Sequence, residues 1–124
     1  MLRLVGLWGP VAVCMALIFF LSALSFPPGG ALVPDWASHT VVYAGLSVLM
    51  ARALAGGVRR ASVATLVLAA ALGTVYGVTD EWHQMYVPHR LSEVRDVVND
   101  MIGASIGAAF FGLAAWLRPH PGRA

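Results

Sequence analysis

Long apolar segments and short polar connections alternate along the chain. The apolar segments predict four helices, at about residues 4–26, 35–55, 62–84 and 92–117. At about 1.5 Å per residue, each helix is long enough to cross the roughly 30 Å hydrocarbon core of a bilayer. We therefore expect an all-α membrane protein, a bundle of four transmembrane helices, that occupies residues 1–124 as a single domain with a short tail at 118–124.

Proline, glycine and arginine mark the connections between the helices. The run Pro27-Pro28-Gly29-Gly30 ends the first helix, because proline lacks a backbone donor and glycine permits a sharp turn. A short basic loop at 56–60 follows the second helix, and a loop at 86–91 that contains Pro88 follows the third. Serine is a common helix cap, so we expect Ser92 to cap the fourth helix.

A cleaved signal peptide is the alternative interpretation of the first apolar segment. Arg3 would be its charged start and Ala23-Leu24-Ser25 its small-residue cleavage site. The apolar run is longer than the usual central region of a signal peptide, about 7–15 residues, which favours a transmembrane helix. As the most apolar of the four helices, it is expected at the periphery of the bundle.

The composition supports a membrane protein and argues against nucleic-acid binding. The chain is 59% hydrophobic and 11% charged, with a mean hydropathy of +0.76, whereas soluble domains carry about 25% charged residues. It has no lysine, a net charge of +2 and no basic cluster interleaved with aromatic residues. The single cysteine, Cys14, cannot form an internal disulfide and is expected to be a packed or lipid-facing thiol.

The arginines predict the orientation of the bundle. One end of the four-helix arrangement carries Arg3, Arg52, Arg59, Arg60, Arg118 and Arg123. The other end carries only Arg90 and Arg95, so the positive-inside rule predicts a multi-pass plasma-membrane protein with both termini in the cytoplasm (N-in/C-in). A polar site on the extracytoplasmic side is then expected, because that face gathers Asp35, Asp80, Glu81, Glu93, Asp96 and Asp100.

Polar and small residues recur at helical spacing on three of the predicted helices. The three stripes are Asp35-His39-Tyr43, Gly73-Gly77-Glu81-Gln84 and Asp96-Asn99-Gly103-Gly107. Residues three or four apart share one face of a helix, so each set forms a single stripe. Each stripe carries its polar groups near the outer end. The glycines form small-xxx-small patterns that let helix backbones approach closely in lipid. We expect these faces to meet, with Asp100 paired to a neighbouring helix, to His39 or to Arg95.

The converging polar residues favour a ligand or catalytic site, and an interhelical network that only holds the bundle together is the alternative. His39 and Glu81 are the catalytic candidates, as general acid and base. The candidate ligand-binding residues are Asp35, Tyr43, Gln84, Arg90, Asp96 and Asn99. An anionic ligand is favoured because the positive ends of the second and fourth helices lie at this face, beside Arg90 and Arg95.

No metal and no cofactor are expected. His39, His83 and Glu81 could supply ligands, but their spacing lacks the HExxH pattern of a zinc-binding helix. His83 lies off the Glu81 stripe, beside Trp82, and we place both residues in the aromatic belt at the membrane interface. The sequence also has neither a phosphate-binding glycine loop nor a nucleophile-elbow serine.

Four motifs follow one another over more than half of the chain. They are Asp35-xxx-His39-xxx-Tyr43, Tyr76-Gly77-xx-Asp80-Glu81-xx-Gln84, Val87-Pro88-x-Arg90 and Asp96-xx-Asn99-xxx-Gly103-xxx-Gly107. In this order they resemble the VanZ-like family, which is named after an accessory protein that gives low-level teicoplanin resistance. The resemblance implies a small polytopic membrane protein but supplies no reaction. It carries over to Asp35, His39, Tyr43, Glu81, Gln84, Arg90, Asp96, Asn99 and Gly103.

Two positions depart from the family pattern. Members often carry Lys after the first Asp, where this chain has Trp36, so any ion pair or headgroup contact of that Lys is lost. Members often carry Gly before the loop Arg, where this chain has His89. A turn that needs a positive φ there would be strained by a side chain, with an effect on the orientation of Arg90.

The sequence leads to one main hypothesis of function and two alternatives. The main hypothesis is an integral membrane protein of the cell envelope, surrounded by membrane lipids, that binds an anionic lipid-linked or cell-wall-related ligand at its outer face. The resemblance adds an influence on glycopeptide (teicoplanin) susceptibility. The alternatives are a membrane-embedded enzyme that uses His39 and Glu81, and a purely structural four-helix module. The sequence does not indicate an oligomeric state.

Overall fold

The computed structural model describes residues 1–118, which form four α-helices. These are α1 (Leu2–Ser22), α2 (Asp35–Leu54), α3 (Val63–Gln84) and α4 (Val94–Leu117). Residues 1–118 contain no β-strand, so the all-α prediction is confirmed. α1, α3 and α4 are each long and apolar enough to cross a membrane. The predicted tail, apart from Arg118, lies outside the described residues, as do His120 and Arg123.

The end of α1 and the cap of α4 differ from the prediction. α1 ends at Ser22, with Ala23 as its C-cap, four residues before the predicted end at 26. The position of Phe26 before Pro27 disfavours helical conformation at that residue alone. α4 begins at Val94, so Glu93 rather than Ser92 takes the N-cap position, without a side-chain cap. The other helix ends lie within two residues of the predicted ones.

Glycines allow α2 and α4 to pack backbone against backbone. A Cβ atom at Gly103 would overlap the carbonyl of Thr40, and one at Gly107 would overlap the carbonyl of Ala44. Gly73 similarly faces the Cβ of Ala104, which would lie 3.0 Å from an added Cβ atom. The expectation that the small-residue faces meet one another is therefore confirmed.

α1 lies at the edge of the bundle, as expected for the most apolar helix. Within the described residues it packs against α2 and α3 but makes no contact with α4. Its buried side chains, among them Leu7, Val11 and Ile18, join the same apolar core as Leu46 of α2 and Phe111 of α4. α1 therefore covers one side of a three-helix centre.

The basic end of the bundle is held together by arginine contacts between neighbouring elements. Arg3 donates to the Gly56 carbonyl at 3.1 Å, and Arg52 donates to the Gly6 carbonyl at 3.1 Å. Arg60 lies 6.0 Å from the centre of the Trp116 ring. The start of α1, the end of α2 and the end of α4 thus lie at one end, and the polar stripes lie at the other.

Candidate functional site

His39 is the residue at which the polar stripes converge. It lies one turn into α2, and its Nδ1–H donates to Asp100 Oδ1 of α4 at 2.7 Å. Asp100 is completely buried and His39 is 9% exposed. Of the expected partners of Asp100, His39 is therefore the one that the structure provides. The close approach of α2 and α4 brings these two residues together.

The other imidazole nitrogen of His39 faces carboxylates from three helices. Nε2 lies 3.8 Å from Asp35 Oδ1 of α2 and 4.0 Å from Glu81 Oε1 of α3. Asp96 of α4 places a carboxylate oxygen within 4.8 Å of donor atoms of both Asp35 and His39. Nε2 is thus the centre of an oxygen-rich cluster, while Nδ1 is held by Asp100.

Gln84 links this cluster to the loop between α3 and α4. Its Nε2 donates to Asp80 Oδ2 and to Glu81 Oε1, both at 3.1 Å. Its Oε1 accepts from Arg90 Nη2 at 2.7 Å. Because donors and acceptors are engaged at both ends, the amide of Gln84 has one favoured orientation and holds Arg90 beside the cluster.

Arg90 is turned into the site by a strained loop residue. His89, which precedes it, has a φ of 63°, the left-handed conformation that favours glycine. The positive φ considered from the sequence is therefore present, and the His89 ring stacks on Phe26 with ring centres 5.8 Å apart. Arg95, in contrast, points away and pairs with Glu93 at 3.1 Å on the surface.

Two cavities adjoin the polar cluster. The first, of about 270 Å³, lies between the end of α1, the proline-rich segment, α2 and α3. Its apolar lining residues include Ile18, Leu21, Pro27, Pro28, Val33 and Val42. Its polar lining residues include Asp35, His39, Tyr43, Asp80, Gln84 and Arg90. The second cavity, of about 250 Å³, shares Asp35, Gln84 and Arg90 with the first and adds Asp96.

Several buried polar atoms in and around the cluster have no hydrogen-bond partner within residues 1–118. They include Tyr43 Oη, Asp80 Oδ1, Glu81 Oε2, Arg90 Nε, Asn99 Nδ2 and Asp100 Oδ2. Buried polar atoms in proteins are nearly always hydrogen-bonded, because an unpaired one costs about 1–3 kcal/mol. These atoms can form hydrogen bonds with a ligand or with water.

The structure brings together most of the predicted site residues but not all. Asn99 lines neither cavity, and Asp100, four residues after Asp96, takes the inward position on α4. Glu81 is 3% exposed and lies behind the cavities rather than in their walls. The catalytic and ligand-binding roles assigned from the sequence stay predictions.

Two buried aspartates were missed as site residues. Asp80 lies four residues before Gln84, and Asp100 lies four residues after Asp96 and seven before Gly107. Both spacings fit the predicted stripes as well as the residues chosen did. The repeat alone could not separate them from Glu81 and Asn99, because adjacent positions on a helix both satisfy a three-or-four spacing.

His83, whose imidazole could also bind a metal, lies outside the polar cluster. Its ring stacks on Phe19 of α1, with centres 4.3 Å apart, and its Nδ1 lies 3.5 Å from Ser22 Oγ. The combination of His39, His83 and Glu81 considered from the sequence is therefore not formed. Trp82, beside it, is exposed on the bundle surface, as the expected interfacial position requires.

Comparison with known proteins gives one match, to a family model. The model described as VanZ/LLP1 matches residues 7–115, which include the whole polar cluster and most of each helix. The chain belongs to this family. The VanZ-like resemblance of the sequence motifs is thereby confirmed. No curated protein and no solved structure matches the chain.

The polar cluster lies inside the segment that the family model matches. All the residues that contact His39, together with Gln84 and Arg90, fall inside the segment that the VanZ/LLP1 model matches. The basic contacts of Arg3 with Gly56 begin outside it, at the start of the chain. The match therefore covers the polar cluster but not the first residue of the basic end.

Proposed function

We propose that this VanZ/LLP1-family protein binds the anionic group of a lipid-linked or cell-wall-related ligand in the cavity beside Arg90. The proposal rests on the observation that the Arg90 guanidinium has no carboxylate partner in the part of the chain that the structure describes. Within residues 1–118 no carboxylate lies within ion-pair distance of its guanidinium, although carboxylates line the same cavities. A site meant only to neutralise its own charges would pair this arginine.

The guanidinium of Arg90 keeps donors available for a ligand. One of its five N–H groups is used on Gln84, and its Nε is buried without a partner. Arginine binds phosphate and carboxylate groups through two parallel hydrogen bonds, which are stronger than bonds between neutral groups. A ligand phosphate or carboxylate would supply the acceptor that Arg90 lacks.

The mixed lining of the first cavity suits an amphiphilic ligand. Its apolar residues, among them Leu21, Pro28 and Val42, can cover part of a hydrocarbon chain, and its polar residues can hold a headgroup. Asp35 and Asp80 offer acceptor oxygens to hydroxyl or amino groups of that headgroup. A ligand with an anionic group for Arg90 and hydrogen-bond donors for the aspartates satisfies both kinds of residue.

The proposal also states how the four helices are oriented in the membrane. α2 is 20 residues long and lies against α3 and α4, so we propose that it crosses the membrane together with the three more apolar helices. The arginines at the basic end favour a cytoplasmic location for that end. The site then faces the extracytoplasmic side of the plasma membrane, where cell-wall precursors and lipid headgroups are accessible.

Removal of the Arg90 charge tests the binding function. We expect Arg90→Ala to weaken binding of a polyprenyl phosphate by about 10- to 100-fold, because charged hydrogen bonds contribute about 1.5–3 kcal/mol. Binding is measured by titration of the purified full-length protein in nanodiscs, with the uncharged polyprenol as the comparison ligand. Arg95→Ala is the matched control, since Arg95 is on the same rim but already paired with Glu93.

The cellular form of this test uses antibiotic susceptibility. Production of the wild-type protein in a susceptible host should lower teicoplanin susceptibility, and Arg90→Ala should remove that effect at equal membrane abundance. Unchanged lipid binding by Arg90→Ala would contradict the proposed binding site. An unchanged teicoplanin response with a normal loss of binding would instead contradict the link to this antibiotic.

A second candidate function is acid–base catalysis on the bound lipid. The observation in its favour is the geometry of His39, whose Nδ1–H is held by a buried aspartate while the residue borders the first cavity. A carboxylate that orients an imidazole in this way is a common arrangement for a general base. Glu81, 4.0 Å from Nε2, would complete the acid–base pair.

A further inference from the structure

The donors around His39 Nε2 have the composition of a metal site. Asp35, His39 and Asp96 each place one ligand atom within 4.8 Å of the others, and they come from two different helices. Ligand atoms bound to one Zn²⁺ ion at about 2.0–2.2 Å lie roughly 3.3–3.6 Å apart. The observed separation of 3.8 Å between His39 Nε2 and Asp35 Oδ1 is close to this value.

An independent observation points to a ligand at the same place. Glu81, from a third helix, is 3% exposed and directs its carboxylate at His39 Nε2, with Oε1 at 4.0 Å. Its other oxygen, Oε2, is buried and has no partner among residues 1–118. A buried carboxylate oxygen without a donor is costly unless a cation or a hydrogen-bond donor meets it.

The surroundings of His39 are those of a ligating histidine. Histidines that bind metals usually donate their other ring N–H to a carboxylate, which fixes the tautomer and leaves the second nitrogen free to ligate. Asp100 makes this contact with Nδ1 at 2.7 Å, while Nε2 faces the carboxylates of Asp35 and Glu81. Asp35 and Asp96 also line the second cavity, which gives an ion a route to the site.

We propose that Asp35, His39 and Asp96 bind one divalent transition-metal ion such as Zn²⁺ or Mn²⁺, with the Glu81 carboxylate beside His39. One imidazole nitrogen with carboxylate oxygens suits these ions, whereas Ca²⁺ and Mg²⁺ prefer oxygen alone. The ion offsets the mutual repulsion of three carboxylates gathered around one nitrogen. The sequence expectation of no metal rested on the lack of a linear motif, and ligands divided between two helices leave no such motif.

Metal binding is tested on the full-length protein without a histidine tag, purified in detergent and stripped with a chelator. We expect the wild type to take up about one Zn²⁺ or Mn²⁺ ion per chain in calorimetric titrations and in metal analysis after gel filtration. Asp96→Asn and His39→Gln should bind about tenfold more weakly or worse. Glu93→Gln is the control for charge alone, because Glu93 lines the second cavity but is not one of the ligands.

Pulsed electron paramagnetic resonance of the Mn²⁺-loaded wild type provides a second measurement that does not depend on affinity. Coupling to an imidazole ¹⁴N nucleus is expected, and it should vanish in His39→Gln. Bound Mn²⁺ without nitrogen coupling, equal affinity in Asp96→Asn, or equally tight binding of Ca²⁺ would each overturn the proposal.

The metal proposal and the anion proposal are tested separately. Arg90→Ala should keep the metal affinity of the wild type, because Arg90 contacts Gln84 and none of the three ligands. Polyprenyl phosphate titrations in the presence of a chelator test the Arg90 site alone. Loss of metal binding in Arg90→Ala would overturn the metal site as drawn here.

Discussion

At the scale of single residues, the site depends on side chains that each serve two neighbours. His39 joins α2 to Asp100 through one nitrogen and faces Asp35 and Glu81 with the other. Gln84 joins Glu81 to Arg90 through its amide. A change at one of these residues therefore acts on two contacts, and its effect is not that of a single hydrogen bond.

Glu81→Gln separates binding from catalysis. The amide keeps the shape of the side chain and removes its charge, so we expect polyprenyl phosphate binding to stay within about threefold of the wild type. If the site performs acid–base chemistry, the rate should fall by roughly 100-fold or more. Mass spectrometry of the lipid after incubation with each protein measures conversion, and Glu93→Gln serves as the control.

The other outcomes of this experiment are also decisive. Equal conversion by Glu81→Gln and the wild type would exclude Glu81 as a catalytic residue. A large loss of thermal stability in detergent, together with loss of binding, would favour a purely structural network.

At the scale of the helices, glycine positions determine which elements meet. Gly103 and Gly107 allow α4 to contact the backbone of α2, and Gly77 faces Asp100. In lipid there is little hydrophobic force between helices, so close packing of this kind contributes much of the association. The polar cluster is built on the tightest of these contacts.

Gly103→Ala tests the contribution of this packing. An added Cβ atom would overlap the Thr40 backbone, which cannot move as a flexible side chain could, so we expect the free energy of unfolding to fall by about 1–3 kcal/mol. Unfolding in mixed micelles, followed by circular dichroism, measures the change. Gly45→Ala is the matched control, since that position in α2 has no atom within 4 Å of an added Cβ atom.

Gly45→Ala should leave the stability unchanged or raise it slightly, because alanine favours the helix by roughly 0.5–1 kcal/mol over glycine. Equal effects of the two substitutions would show that helix propensity, and not the contact with Thr40, governs stability at Gly103.

At the scale of the whole molecule, charge and polarity are divided between two ends. Arg3, Arg52 and Arg60 contact neighbouring elements at one end, and the polar cluster with its cavities lies at the other. The helices alternate in direction, so each connection lies at a defined end. This division makes the proposed orientation directly testable.

Cysteine labelling tests both the orientation and the fourth span. Cys14 is the only cysteine, so it is first replaced by Ser, and single cysteines are placed at Leu32, Val58 or Leu91, all exposed in connections. We expect a membrane-impermeant maleimide to label Leu32→Cys and Leu91→Cys in intact cells. Val58→Cys should react only after permeabilisation. Equal labelling of Leu32→Cys and Val58→Cys would show that α2 does not cross the membrane.

The sequence predicted the helices well because long apolar segments have few alternatives. It failed where local backbone chemistry decides, as at Phe26 before Pro27, where the apolar composition continues but the helix does not. It also identified the helical segments that form the site more reliably than the individual residues that face inward. Asn99 and Asp100 differ by one position along α4, and only the packing of α4 on α2 shows which of them faces inward.

The backbone contact between α2 and α4 also sets a dimension of the site. Thr40 directly follows His39, and Gly103 lies three residues after Asp100, so the contact between Thr40 and Gly103 governs the distance between the histidine and the aspartate. A methyl group at position 103 would meet the Thr40 backbone first, so we expect it to push α2 and α4 apart and to lengthen the hydrogen bond between His39 and Asp100. A search for residues that tune this site should therefore include its nearest glycine.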